Sequence, residues 1–266
     1  NTTADCNVAV GHNSLCTNQT GTNLTAIGIH TLKLNTVSDN TAIGRATLTA
    51  NTTGAINTAV GTSALQANTT GTANVAVGCD ALGANTTGDE NTIIGREAGC
   101  SNTEGHCNTA LGARSLKSNS TGAGNVAIGY HALCTNTTAS VNTAVGFCAM
   151  ESNTTGGSNT AVGTNTLQAN TTGTDNTAVG RGAAVKNTTG LCNTAMGGNA
   201  LTCNTTGCYN SAFGRDALCA NTTANENTAV GLSALKANTT GALNTALGTC
   251  ALLLNTTGTR NTGLGH

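Results

Sequence analysis

The residues that could do chemistry are twelve cysteines, five histidines and a lattice of Asn-x-Thr triplets in a chain of 266 residues. Cysteine pairs two to four residues apart would suggest zinc, but no CxxC occurs. Nine of the twelve cysteines instead bracket a recurring Asn-Thr-Thr-Gly tetrapeptide. Cys203 and Cys208 enclose one such segment, and Cys100 and Cys107 enclose its Ser-Asn-Thr-Glu-Gly-His variant. The spacing predicts disulfides that staple the turn. An alternative joins neighbouring repeats at the same corner, as Cys192–Cys208 and Cys203–Cys219. Either pattern implies an oxidising compartment.

Asn-x-Ser/Thr without an intervening Pro is an acceptor for N-linked glycan. Asn1, Asn18, Asn51, Asn68, Asn85, Asn119, Asn136, Asn153, Asn170, Asn187, Asn204, Asn221, Asn238 and Asn255 all meet it, and Asn23 meets it out of phase. At Asn35 and Asn102 the third residue is Val37 or Glu104, and the acceptor is broken. Read as turn tips, these asparagines are expected to carry a glycan coat, which would keep a poorly charged chain soluble; the alternative is turn chemistry alone, with Asn tolerating the left-handed conformation and Thr stacking in ladders. The histidines (His12, His30, His106, His131, His266) are scattered. No Ser-His-Asp set, recurring carboxylate pair or phosphate-binding Gly motif appears. The sequence therefore argues against an enzyme and implies no cofactor or metal.

These residues ride on a tandem repeat. From Asn57 an Asn recurs every 17 residues through Asn261, in blocks of the form NTAVGxxALxxNTTGxx, numbered 1 to 17 below. Asn40 and Asn7 extend the series backwards, with one residue missing between Lys33 and Asp39. About fifteen blocks fill residues 1–266 as a single array, with no cap at either end. Aromatics are 2% and Pro is absent, so the core must be thin and built from Ala, Val, Leu and Ile. Charged residues are 8% and the net charge is −1, which leaves no electrostatic footprint for nucleic acid. No 18-residue apolar run is present, so no membrane span is expected. The absence of an initiator Met and of a signal-like stretch reads as a processed chain or a segment of one.

Within a block, positions 1–5 predict a short strand closed by Gly, and positions 12–15 a turn. The Ala-Leu segment at 6–11 reads equally as a short strand or one helical turn. A 17-residue coil cannot bury enough surface to fold alone. Stacking supplies inter-coil hydrogen bonds, a continuous core and ladders of identical residues, including Asn at position 1 and Thr at 2 or 13. The expected fold is all-β, a β-solenoid with one coil per repeat, and with Val60, Val77, Ile94 and Leu111 of position 4 stacked inside.

The Asn-Thr-Ala-Val-Gly strand, as in Asn142–Gly146, resembles the repeats of trimeric autotransporter adhesin heads. The whole block is similar to arrays in bacterial and phage tail-fibre-like surface proteins. The resemblance implies an extracellular or cell-surface structural fibre that self-associates. The uncapped ends, at Asn1 and His266, add an expectation of end-to-end joining. An adhesin or receptor-binding shaft is the alternative, and an ice-binding solenoid a third reading.

Overall fold

In a computed structural model, residues 3–266 are described, and they form an all-β solenoid without a helix. Sixteen three-residue strands recur once per block, each covering positions 2–4. Contacts divide the chain into two compact units: Asn1–His131 with Thr135–Thr138, and Ala132–Cys134 with Ala139–His266. The first holds β1 (Val8–Val10), β2 (Thr25–Ile27), β3 (Thr41–Ile43), β4 (Thr58–Val60), β5 (Val75–Val77), β6 (Thr92–Ile94), β7 (Thr109–Leu111) and β8 (Val126–Ile128). The second holds β9 (Thr143–Val145) to β16 (Thr262–Leu264), including β11 (Thr177–Val179). In each unit the strands pair in parallel, in sequence order and in register, so that Ala59 lies beside Ala76 and Ala161 beside Ala178.

Hydrogen bonds between rungs run around the whole coil and not only through the strand. In the rung 57–73, the N–H of Thr58 bonds to Asn74 O at 2.8 Å, Leu65 to Ala81 O at 3.0 Å and Thr69 to Thr86 O at 3.0 Å. Gly61, Ser63 and Ala73 reach the opposite way, to Ile43, Arg45 and Ala55. The Thr69 hydroxyl adds a bond to Thr86 O at 3.0 Å, so the position-13 threonines do form a ladder.

Positions 6–11 are neither strand nor helical turn. They form a tight ribbon in which positions 7 and 9 are left-handed, as at Ser63 (φ 58°) and Leu65 (φ 49°), and position 17 is left-handed too, as at Ala73 (φ 54°). Such a conformation costs a non-Gly residue roughly 1–2 kcal/mol. The inter-rung bonds made by these same residues hold it in place. Position 5 needs glycine for two reasons. Gly61 has φ +136°, and a Cβ there would lie 2.4 Å from the carbonyl oxygen of Gly78 in the next rung.

The core corrects one expectation. A strand turns alternate side chains to opposite faces. Here the inward residue is the position-3 Ala, with Ala59, Ala76 and Ala144 buried. The position-4 residues face outward: Val60 and Val77 are half-buried, and Ile94 and Leu111 are exposed. Opposite position 3 sit the buried Ala-Leu pairs, such as Ala64-Leu65 and Ala234-Leu235. Only Ala leaves room for Leu across so narrow an interior.

The rung beginning at Asn91 confirms that volume is the constraint. Its position 9 is Gly99, and its position 3 is Ile93 instead of Ala. A Cβ built on Gly99 would meet Ile93 Cγ2 at 3.4 Å, so the isoleucine occupies the space that Leu fills elsewhere. Ile93→Ala is expected to cost about 2–5 kcal/mol through the cavity it leaves. Gly99→Leu alone should overpack by about 1–3 kcal/mol. The double variant should return close to wild type. Urea unfolding of the three variants checks the cycle, and additive losses would contradict it.

Candidate functional site

The feature that recurs along the stack is a pair of asparagines at positions 1 and 12, mostly buried, with Leu24 standing at position 1 in the one rung that lacks the first of them. Asn57, Asn74, Asn91, Asn68, Asn85 and Asn170 are all fully buried. A buried amide without partners would be costly, so each must be satisfied internally. The position-12 side chains bond to one another from rung to rung. Asn68 Nδ2 donates to Asn51 Oδ1 at 2.8 Å and Asn85 Nδ2 to Asn68 Oδ1 at 2.9 Å. In the second unit Asn170 donates to Asn153 at 2.8 Å and Asn187 to Asn170 at 2.9 Å. The second proton of each amide goes to the position-15 carbonyl of its own turn, as from Asn85 to Gly88 O at 2.9 Å.

The position-1 column interlocks with this one. Asn74 Oδ1 accepts the backbone N–H of Asn91 at 3.0 Å and its Nδ2 at 3.0 Å. Asn74 Nδ2 also reaches Gly88 O at 2.8 Å, so this one carbonyl takes an amide proton from each column. A Cβ at position 15 would intrude here: at Gly88 it would lie 2.4 Å from Gly105 O and 2.5 Å from Asn85 Oδ1. Glycine suits this close approach in most rungs, and where Ala224 replaces it the neighbouring atoms give way, its carbonyl still accepting from Asn210 at 2.8 Å and from Asn221 at 3.1 Å. The block with one residue missing keeps the arrangement by shortening the turn. There Asn35 Nδ2 bonds to Val37 O at 2.6 Å, and Asn51 still donates to Asn35 Oδ1 at 2.7 Å.

This geometry corrects the expectation that the acceptor asparagines stand at exposed turn tips. Asn18, Asn51, Asn68, Asn85, Asn119, Asn136, Asn153, Asn170, Asn187, Asn204, Asn221 and Asn238 are buried inside the solenoid, not at turn tips, and Asn255 is partly buried. Where a glycan would attach, Nδ2 is spent on two internal hydrogen bonds, so the folded rung has no place for a sugar. Asn1 lies outside the described residues. Asn23, the acceptor out of phase, is exposed. The asparagines kept at 35 and 102, where the acceptor is broken, were the signal that the amide itself is required.

The disulfide expectation is corrected as well. Cys100, Cys107, Cys192, Cys203, Cys208 and Cys219 are all free thiols. In-register stacking places each side chain beside its own position in the next rung, and no two cysteines are 17 residues apart. The sulfurs instead make contacts of their own. Cys107 donates to Glu90 at 3.3 Å, Cys100 to Lys117 O at 3.8 Å, and Cys208 to Thr206 O at 3.3 Å. Cys203 and Cys219 are adjacent through a backbone bond of 3.0 Å and remain unbridged. Cys148 is buried, and loss of hydration, reinforced by Glu151, pushes its thiol up to about 11.

Positions 7 and 10 bring together the densest charge. Glu97 pairs with Arg114 at 2.9 Å and with Lys117 at 3.4 Å. The hydrogen bond from Arg114 is the chief cause that holds the Glu97 carboxyl below its ordinary range. Nearby Asp80 is pushed up, by burial first and by the Glu97 charge second. Two carboxylates displaced in opposite directions are the kind of pair an acid–base site uses. These lie on the outer surface, and no cavity opens among the described residues. No helix of the described residues is long and apolar enough to cross a membrane. No known family model matches the chain, and no curated protein is significantly similar to it.

An Asn-to-Asp change at position 12 keeps shape and removes both donors. Asn170→Asp would place a buried carboxylate against Asn153 Oδ1 and Gly173 O, both acceptors. Folding then raises the acid's pKa, so the folded state binds a proton more tightly and stability falls as pH rises. At pH 7 the variant should lose more than about 3 kcal/mol, and part of this should return near pH 4. Denaturation at the two pH values reads it. A pH-independent loss below about 1 kcal/mol would contradict the ladder.

Proposed function

We propose that this chain is a structural protein, an extracellular β-solenoid subunit of a fibre or filament. The observation that carries the reading is the asparagine ladder. In each rung the main polar investment joins that rung to the next, through two amide columns and bonds around the whole coil. Interactions of this kind resist separation along the stack and leave little side-chain chemistry over for a substrate. The low charge, the small-residue core and the outer surface of Thr, Ser, Ala and Val support the same reading. The free thiols leave a reducing environment as compatible with the fold as an oxidising one, so the extracellular setting rests on the resemblance of the repeats.

Electron microscopy and fibre diffraction of the full chain test this. The expected result is unbranched filaments with an axial repeat near 4.8 Å, the spacing of paired strands. Compact particles at every concentration, or hydrolytic or transferase activity in a broad substrate screen, would overturn it.

A further inference from the structure

The outward face of the strands is not explained by stacking. It consists of two columns, Thr, Val or Ser at position 2 and Val, Ile, Leu, Met or Phe at position 4, with no charged residue in any strand. Ile43 and Ile94 are each 37% exposed and Leu247 51%. Water-facing strands normally carry polar or charged residues at such positions. Position 4 thus forms an exposed apolar row beside a column that is mostly Thr, and a contiguous row of exposed apolar side chains marks an interaction site.

Charge along the two borders of the face says what covers it. Position 17 precedes the strand and position 6 follows it. Asp39 and Arg45 border β3, Glu90 and Arg96 border β6, and Asp175 and Arg181 border β11. All six side chains are exposed. Of the four arginines at position 6, three therefore stand across the strand from an acid at position 17. Asp39 accepts one bond from Asn23 at 3.0 Å, and Arg96 bonds to Glu97 at 2.5 Å, which leaves donors and acceptors on both groups.

We propose that the occupant is a second copy of this chain, laid face to face, pointing the same way and in register. A twofold axis parallel to the stacking direction keeps each rung at its own height and exchanges the two borders. The acid border then meets the arginine border, Asp39 opposite the partner's Arg45 and Arg45 opposite the partner's Asp39. A twofold axis along the strands would reverse one copy and set acid against acid. Exposed ion pairs add little affinity, so the apolar columns hold the pair and the charges select its direction and register. The face is self-complementary, as a twofold interface must be. This inference rests on the fibre-subunit reading and names the surface through which subunits associate sideways.

Sedimentation velocity on the full chain tests it. Wild type should run at a multiple of the 26.0 kDa chain mass. Ile43→Glu with Ile94→Glu should give monomers with an unchanged β circular-dichroism signal. If that variant loses the signal, Ile43→Thr with Ile94→Thr should still weaken association at least tenfold. Arg45→Glu, Arg96→Glu and Arg181→Glu together should also weaken it at least tenfold. Adding Asp39→Arg, Glu90→Arg and Asp175→Arg to that chain should restore it. A wild type monomeric at all concentrations would overturn the proposal, as would an assembly indifferent to the charge reversals. So would a monomer that shows thermal hysteresis, since the face would then be taken by ice. Filaments whose mass per length ignores the isoleucine substitutions overturn this face alone, whereas the absence of any filament overturns the underlying reading.

Discussion

The structure depends on the carboxamide of asparagine, a short side chain with two donors and an acceptor, buried where no water reaches it. Stacking in register sets each amide beside its own copy, so one geometry satisfies every member of a column. Aspartate offers no donor, alanine no polar atom, and glutamine an extra methylene in an interior with no room for it. Two columns sharing one carbonyl make the turn and the strand of each rung a single hydrogen-bonded unit.

Other features follow from this closeness. Because the amides draw the walls together, the space left holds Ala and Leu, or Ile and Gly in the rung of Asn91. Glycine stands where backbones touch. Left-handed residues such as Leu65 are tolerated because a neighbouring rung grips them on each side. Buried hydroxyls obey the same rule: Thr166 at position 8 donates to Gly180 O at 2.8 Å. Stability is thus spread along the stack, as expected of arrays whose repeats contact only their neighbours.

The period, a short strand within positions 1–5, the Gly that closes it and the position-1 amide ladder were legible in the sequence. They depend on spacing and residue type alone. The inside of the strand was not. A three-residue strand gives one alternation, and Ala beside Val invites the larger residue into the core, whereas the amide-bound walls admit only the smaller. Position 12 was misread for a related reason. Asn-Thr-Thr-Gly has the composition of an exposed turn, but the turn folds inward around its own amide. The cysteines misled because spacing shows which residues can be neighbours and not which sulfurs meet: Cys203 and Cys219, 16 apart, are joined by a backbone bond across rungs and are still unbridged.

Hydrogen exchange of the asparagine side chains tests the central claim most directly. In chain labelled with 15N at asparagine, the Nδ2 protons of positions 1 and 12 should exchange orders of magnitude more slowly than those of the exposed Asn23. Their protection should match that of the backbone amides in the strands. Side-chain protons at Asn68, Asn85 and Asn170 that exchange as fast as those of Asn23 would show that the columns do not hold the rungs together.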